Sequence, residues 1–214
     1  EACTPWDWQP RLQRAAQDLG LQFFSTPFDD TAVEFLERLD VPAFKIASFE
    51  NVDIGLLARV SRTRKPVIMS TGMATLAEID EAVSTLRANG CVGFALLKCV
   101  SACPAPASER HLRTIPHLAD AFDGPAGLSD HTMDVAVPVT AVALGASIIE
   151  KHLCLSRAAG GPDSTFSLEP AEFREMVQAV RIAERALGTA FYGVTPDEET
   201  SRVFRRSLFA VKDI

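Results

Sequence analysis

The segment GLSDHTMDVAVPVTAVALGASIIEKH, residues 127–152, decides the fold. Its first apolar run ends at His131, an Ala- and Val-rich helical pattern follows, and a second β-branched run ends at His152. This is the pattern of a strand-helix-strand unit, in which parallel strands present their carboxyl ends at the same edge. We therefore expect the two histidines to be neighbours, and two converging imidazoles can bind one metal ion.

The same pattern recurs along the chain. A helix is predicted at residues 9–19, because apolar positions at helical spacing stop at Gly20. Strands are predicted at residues 23–28, 43–48, 66–71, 93–100, 125–131 and 146–152. Between and after them, helices are predicted at residues 31–39, 53–63, 76–88, 112–122, the Ala/Val-rich stretch after His131, and 170–187. Six strand-helix units in strict alternation predict an α/β fold with a parallel sheet or a barrel.

Polar residues at the carboxyl ends of all six predicted strands favour a (β/α)8 TIM barrel over a doubly wound sheet. In a barrel every strand contributes to one active face, whereas a doubly wound sheet concentrates function at one switch point. A Gly-rich dinucleotide fingerprint is also absent from the sequence. Since a full barrel has eight units and about 250 residues, we expect an incomplete TIM barrel with six of the eight strand-helix units, lacking two strands and a helix upstream. Residues 1–194 are predicted to form this partial catalytic domain, and residues 195–214 a linker toward a further element.

The composition is that of a globular protein, with 47% hydrophobic and 23% charged residues among 214. No run reaches the roughly 18 apolar residues of a membrane span, and the N-terminal residues do not resemble a signal peptide. We therefore expect a cytoplasmic protein that does not contact a membrane. The net charge of -7 disfavours nucleic acid as a partner but allows a small anionic substrate. The five cysteines lack disulfide-framework spacing and are predicted to be reduced thiols.

The predicted strand ends carry lysines, hydroxyls, histidines and carboxylates. The hydroxyls are Ser25, Thr26, Ser48, Ser70, Thr71, Ser101 and Ser129, and the carboxylates are Glu50, Asp130, Glu150 and Asp163. Short donors around an ammonium group suit phosphate and carboxylate oxygens, so the pattern predicts a small phosphorylated anion as ligand. Each single Ser or Thr is equally explained as a strand-end residue that bonds the local backbone.

Two alternatives remain open on the residues alone. Lys45 or Lys98 could act as the Schiff-base nucleophile of a barrel aldolase, because a buried lysine with a depressed pKa is a competent amine. Asp163, in the GGPDS turn at residues 160–164, either reaches back over the strand ends or is a solvated turn acid.

The strings FFSTPFD, KIASFE, STGMA, LLKCVSACPAP, GLSDHT, EKHLCLSR, GGPDSTFSLEP and RRSLFAVKDI together resemble the sialic acid synthase family. This resemblance covers essentially the whole chain. It implies a transferase that condenses phosphoenolpyruvate with an N-acylated amino sugar to give a nine-carbon 2-keto sugar acid. KIASFE, SLEP and RRSLF are most similar to the branch that makes pseudaminic acid from 2,4-diacetamido-2,4,6-trideoxy-L-altrose; the N-acetylneuraminate and legionaminate branches are the alternatives.

The resemblance also implies roles for individual residues. His131 and His152 match the two metal ligands, which hold a divalent ion, Mn²⁺ by preference, with Mg²⁺ or Co²⁺ as substitutes. Glu50 and Asp163 match groups near the acceptor sugar, and Ser101 lies in the corresponding strand-end loop. The positions that match the phosphoenolpyruvate site are Lys45, Thr26, Ser48, Ser70 and Ser129. Lys45, Glu50 and the two histidines are thereby the predicted catalytic residues.

The resemblance implies parts that these residues do not contain. Family members begin with a strand that carries a catalytic Glu and a second strand that carries a phosphoenolpyruvate-binding Lys, and they end in an antifreeze-like (SAF) domain that completes the site of a homodimer partner. Cys103 and Cys3 stand where Tyr is usual. Because an open barrel exposes strand edges and apolar interior, a catalytically inactive barrel fragment is the alternative from another class.

Overall fold

The computed structural model describes residues 4–102, 106–208 and 211–212. Cys3 and Cys103 lie outside the described residues. One parallel sheet forms the centre of the molecule, with its strands in sequence order: β1 (Phe44–Ile46), β2 (Val67–Ser70), β3 (Phe94–Cys99), β4 (Ala126–Asp130) and β5 (Ile148–Lys151). Helices alternate with these strands, so the described residues form a half-barrel and the predicted incomplete (β/α)8 architecture is confirmed.

The α-helices lie between and around the strands at the predicted positions. They are α1 (Gln9–Asp18), α2 (Asp30–Arg38), α3 (Ile54–Ser61), α4 (Leu76–Ala88), α5 (Thr114–Phe122), α6 (Ala136–Ala143) and α7 (Pro170–Leu187). Local capping fixes several of their starts. Asp29 accepts a hydrogen bond from the Ala32 amide at the start of α2, and Thr75 forms a capping box with Glu78 at the start of α4.

Strand alternation separates a packed face from a functional face. Side chains such as Phe44, Ile46 and Leu128 are fully buried in the hydrophobic cluster that joins the sheet to its helices. The alternate positions, including Lys45 and Ser129, line a cavity on the opposite face. Because the sheet is parallel, every strand delivers its carboxyl end to the same rim, and that rim positions the candidate site.

Residues 23–28 were predicted to form a strand, but the structure does not show a full strand there. The structure shows there a single parallel bridge between Ser25 and Phe44, with the Lys45 amide donating to the Ser25 carbonyl at 3.2 Å. Pro27 has no amide hydrogen to continue a ladder. Phe24 and Phe28 are 38% and 65% exposed, so the outer side of this segment is not covered by the described residues. The segment lies beside β1, where the sixth strand is expected, without forming a full strand.

Of the described residues after α7, all are exposed except the half-buried Val194. This segment contains a 3-10 helix over Pro196–Phe204 that buries none of its residues. The division at residue 194 between barrel and linker stays a prediction. Within the described residues, the helices include none that is both long and apolar enough to cross a membrane.

Candidate active site

Two histidines meet at the carboxyl rim of the sheet. β4 and β5 are paired so that Ser129 lies beside Glu150 and Asp130 beside Lys151. His131 and His152 follow directly, and their ring centroids are 5.1 Å apart at an interplanar angle of 44°. The strand-helix-strand prediction that the two imidazoles are neighbours is thus confirmed, while their role as metal ligands stays a prediction.

The surroundings of the two imidazoles differ. His131 Nδ1 lies 3.2 Å from the Val100 carbonyl oxygen and 3.9 Å from Cys99 Sγ. The hydrogen bond with Cys99 raises the pKa of His131, and burial partly opposes that effect. Burial lowers the pKa of His152, and the neighbouring His131 lowers it further. Phe166 presents its ring edge-on to both imidazoles, with centroid distances of 5.7 and 4.8 Å.

The pair has the features of a partial metal site. A ligating imidazole usually gives its second ring nitrogen to a carbonyl or carboxylate, which fixes the orientation of the ring. His131 Nδ1 meets the Val100 carbonyl, and His152 Nδ1 lies 3.7 Å from Asp163 Oδ2. In the part of the chain that the structure describes, no cluster of three or more His, Cys, Asp or Glu side chains is arranged around one metal position. Two imidazoles therefore suit an ion whose other ligands come from water or substrate.

A lysine and a carboxylate form the second part of the site. Lys45 is 8% exposed, and its Nζ donates to Ser70 Oγ and to the Ile46 carbonyl oxygen, both at 2.8 Å. Glu150 Oε2 lies 3.5 Å from Lys45 Nζ, and Glu150 Oε1 accepts a hydrogen bond of 2.7 Å from Ser129 Oγ. Burial lowers the pKa of Lys45, and Glu150 opposes the shift by stabilising the ammonium form.

The loops after β1, β2 and β3 complete the rim with hydroxyl groups. Ser48 Oγ accepts a hydrogen bond from the Gly72 amide at 3.1 Å. Gly72 is packed so closely that an added Cβ would lie 2.2 Å from Ser101 Oγ and 2.7 Å from Ser48 Oγ. A cavity of about 180 Å³ brings together Lys45, Ser48, Ser70, Ser101 and Ser129 with both histidines.

Three predicted site residues lie outside that cavity. Thr26 and Asp163 line an adjoining larger space of about 940 Å³, which Lys45 and His152 also line. Glu50 follows β1 and is half-buried without lining either space. Lys98, the alternative Schiff-base lysine, is absent from the cavity lining, and its Nζ donates to the Cys99 carbonyl at 3.2 Å. Of the two lysines, only Lys45 faces the candidate site.

The sequence of the barrel region matches a known protein family. The family model described as the NeuB family matches residues 1–192. The chain belongs to the NeuB family. The pseudaminic acid synthase of Helicobacter pylori (strain ATCC 700392 / 26695) is 42% identical over 215 aligned residues, which cover 100% of this chain and 63% of that protein.

Other members of the NeuB family are also similar to the chain. The N,N'-diacetyllegionaminic acid synthase of Campylobacter jejuni subsp. jejuni is 39% identical, over 93% of this chain and 60% of that protein. A crystal structure of N-acetylneuraminic acid (sialic acid) synthetase from Leptospira borgpetersenii aligns with a TM-score of 0.86 and 33% identity, over 96% of this chain and 72% of that one. The NeuB chain thus spans about three fifths of the length of these two curated relatives.

The NeuB site also contains residues to which sequence reasoning assigned no individual role, including Glu150, which was named only as one of the strand-end carboxylates. Glu150 is two residues before His152, so strand alternation could have placed it on the cavity face. Burial raises the pKa of the Cys99 thiol, but hydrogen bonds to His131 and Ser48 reverse the effect and bring it to about 7. Phe166 comes from the loop before α7, and no periodic pattern in the sequence indicates its contact with the histidines.

The partly buried carboxylate of Glu50 is expected to lower the free energy of unfolding at neutral pH. Its Oε2 is buried with no hydrogen-bond partner among the described residues, and burial raises its pKa above the ordinary 4.5. The folded state therefore holds this proton more tightly than the unfolded state, and stability falls as pH rises through the window above 4.5. We expect Glu50→Gln to stabilise the protein at pH 7 by at most about 1 kcal/mol, because water screens part of the effect.

Denaturant unfolding at several pH values measures this effect. The stability difference between Glu50→Gln and wild type should disappear once the pH is below the ordinary pKa of Glu. Glu175→Gln, at an exposed position of α7, is the matched control and should change stability little at any pH. A Glu50→Gln variant that is less stable at pH 7 would contradict the prediction.

Proposed function

We propose that the full-length protein condenses phosphoenolpyruvate with an N-acylated amino sugar, releasing phosphate and a nine-carbon 2-keto sugar acid. The observation that carries this proposal is the juxtaposition of the His131 and His152 pair with the Lys45, Glu150 and serine cluster in one cavity. Membership of the NeuB family and its relatives' names support the same class of reaction.

The anionic substrate fits the part of the cavity around Lys45. A buried ammonium group with neighbouring hydroxyls neutralises phosphate and carboxylate oxygens and fixes their direction. Ser70 Oγ is already held by Lys45 Nζ, and Ser129 Oγ is held by Glu150. Ser70 Oγ accepts its bond and so keeps its own proton available to a substrate oxygen, whereas Ser129 Oγ donates its proton to Glu150. Both hydroxyls are oriented before substrate enters, which reduces the ordering cost of binding. Thr26, Ser48 and Ser101 are the further hydroxyls that we assign to the phosphoenolpyruvate side.

The sugar is assigned to the histidine side of the cavity. His131 and His152 would hold a divalent ion, Mn²⁺ by preference, and such an ion polarises the aldehyde of the open-chain sugar when it is bound. Asp163 lies at the border of the larger adjoining space, where it would contact the acceptor. Phe166 packs edge-on against both imidazoles and restricts the orientations of their rings.

The bond changes balance with these substrates and one water molecule. C3 of phosphoenolpyruvate attacks the aldehyde carbon, and the aldehyde oxygen takes up a proton. Water then adds at C2, and the C2–O bond to phosphate breaks to give the 2-keto acid and inorganic phosphate. Glu150 is placed beside Lys45 to balance its charge and to orient Ser129.

The acceptor that we propose is 2,4-diacetamido-2,4,6-trideoxy-L-altrose, which makes the product pseudaminic acid. The Helicobacter pylori relative that carries this name supports that choice. Synthesis of N-acetylneuraminate or legionaminate is the second candidate, supported by relatives with those names. We further infer a homodimer for the full-length form and a cytoplasmic location, and light scattering of the purified full-length protein tests the dimer.

Phosphate release by the full-length protein tests the reaction. Purified protein receives phosphoenolpyruvate, Mn²⁺ and, one at a time, each of the candidate N-acylated sugars. We expect release with the altrose derivative, and consumption of another sugar instead would establish the second candidate. Failure with every N-acylated sugar would overturn the proposal.

The isolated 214-residue chain provides a test of the alternative from another class. Turnover by this chain alone would refute the hypothesis of an inactive fragment.

Borohydride treatment with a carbonyl substrate tests the aldolase alternative, because reduction traps a Schiff base on lysine. We expect no adduct on Lys45, since the proposed condensation forms no Schiff base and Lys45 Nζ is already hydrogen-bonded to Ser70 Oγ and the Ile46 carbonyl oxygen.

Gly72→Ala is expected to weaken phosphoenolpyruvate binding with little effect on folding. The new methyl group would displace the hydroxyls of Ser48 and Ser101, which can rotate away, and would press on Ser48 Cβ at 3.0 Å, which needs only a small shift. A hydrogen bond to a charged group contributes about 1.5–3 kcal/mol, so KM should rise at least about tenfold. Gly55→Ala on α3, which meets only an ordinary contact of 3.4 Å, should leave KM unchanged. Equal KM values for the two variants would contradict the prediction.

A further inference from the structure

A buried ion pair lies on the opposite face of the sheet from the cavity. Lys151 Nζ donates to Asp130 Oδ2 at 2.7 Å, and the two side chains are 1% and 0% exposed. Lys151 Nζ also donates to the Thr132 carbonyl oxygen. Asp130 in turn accepts hydrogen bonds from the Thr132 amide at 3.0 Å and from Thr132 Oγ1 at 2.9 Å. These three residues form a closed polar cluster, which we call the strand-end clamp.

The clamp is adjacent in sequence to both histidines. Asp130 immediately precedes His131, Thr132 immediately follows it, and Lys151 immediately precedes His152. Asp130 and Lys151 are also register partners on β4 and β5. Because side chains alternate along a strand, Ser129 and Glu150 enter the cavity while the clamp lies behind it. The clamp therefore fixes the backbone on both sides of His131 and the residue before His152.

A contribution to folding stability does not by itself explain why a buried ion pair is present here. Removing two charges from water is costly, and a buried ion pair often contributes no more than apolar residues of the same volume. The pair instead fixes the positions of the two strand ends, because its hydrogen bonds form at only one relative position of β4 and β5. The two histidines, whose ring centroids are 5.1 Å apart, directly follow these strand ends.

We propose that Asp130, Lys151 and Thr132 are positioning residues that set the separation of His131 and His152 and thereby the affinity for the divalent ion. This inference rests on the proposed function, in which the two histidines hold that ion. Partners outside the ligand shell that orient metal ligands typically change metal affinity by 10–100-fold when they are altered.

The test measures Mn²⁺ affinity directly, by the loss of the free-ion paramagnetic resonance signal during titration of full-length protein. The double variant Asp130→Asn with Lys151→Met removes both charges, so no buried charge is left without a partner. We expect its melting temperature to stay near that of wild type and its Kd for Mn²⁺ to rise about tenfold or more. Thr132→Val, which removes only the hydroxyl contact with Asp130, is measured beside it and should weaken binding to a smaller degree.

The chain offers a matched control at the other end of the sheet. Lys65 Nζ donates to Asp40 Oδ1 at 2.5 Å and to the Val41 carbonyl at 2.6 Å, so it repeats the types of contact that Lys151 makes, in a pair whose Asp40 side chain is 91% exposed. Asp40→Asn with Lys65→Met should leave the Kd for Mn²⁺ unchanged. Unchanged affinity in the folded clamp variants would overturn the inference, and if the double variant does not fold, the Thr132→Val titration decides.

Wild-type and histidine variants separate this inference from the proposed function. Wild-type protein that binds no Mn²⁺, or whose affinity survives His131→Ala, would overturn the metal assignment itself. If Mn²⁺ affinity depends on the histidines but is unchanged in the clamp variants, only the positioning role is overturned. With the clamp altered, we also expect the Mn²⁺ concentration for half-maximal turnover to rise while turnover at saturating Mn²⁺ changes less.

Discussion

Replacing His152 with alanine is expected to lower turnover about a thousandfold and to remove its dependence on divalent ions. The two imidazoles lie within 5.1 Å of each other, and each strand end supplies one of them. A metal that polarises a carbonyl contributes several kcal/mol to the transition state, and each 1.36 kcal/mol is a factor of ten in rate. Under the proposed function the two imidazoles are the protein ligands of that ion, so loss of one of them should remove most of this contribution. His131→Ala should have the same effect.

The measurement is initial phosphate release by full-length protein over a range of Mn²⁺ concentrations. His117, which is exposed on α5, provides the matched control, and His117→Ala should keep the wild-type metal titration. Thermal unfolding shows whether His152→Ala remains folded; we expect it to, since His152 is only partly buried. A folded His152→Ala variant with the wild-type metal titration would sink the assignment.

The sequence predicted helix boundaries correctly where capping residues close to the helix end determine them. The predicted helix at residues 76–88 coincides with α4, because Thr75 and Glu78 form a capping box at its first turn. The predicted helix at residues 170–187 likewise coincides with α7, where Pro170 occupies the first turn. In contrast, residues 23–28 have the composition of a strand, but strand formation depends on neighbours along both edges. The single bridge at Ser25 reflects that dependence.

The same distinction applies to the site. His131 and His152 were predictable because both end strands of one strand-helix-strand unit, and topology alone makes such positions neighbours. Glu150 was named as a strand-end carboxylate, and strand alternation also places it on the cavity face. Phe166 comes from the segment between β5 and α7, whose path depends on tertiary packing. The clamp was equally invisible, since Asp130 and Lys151 have the appearance of ordinary strand-end charges until their register is known.

Gly127, the first residue of the segment that decides the fold, has a strict steric requirement. It lies in β4 between β3 and β5, paired with Leu97 on one side and Ile148 on the other. A Cβ at this position would lie 2.3 Å from the Ile148 carbonyl oxygen and 2.8 Å from Leu97 Cδ2. The nearest obstacle is backbone, which cannot rotate away as a side chain can. The strand pair that carries the two histidines would therefore have to separate.

We expect Gly127→Ala to destabilise the protein by about 3 kcal/mol, the upper part of the usual cost of overpacking a buried site. For a chain of this size that corresponds to a fall in melting temperature of roughly 6–12 °C. Gly93→Ala is the control, since a Cβ there meets nothing within 4 Å, and its free energy of unfolding should match that of wild type within about 0.5 kcal/mol. Because the displaced β4 carries His131, Mn²⁺ affinity should fall in the Gly127→Ala protein that remains folded. Wild-type stability of Gly127→Ala would contradict the close approach of β4 and β5, and with it the geometry that brings the histidines together.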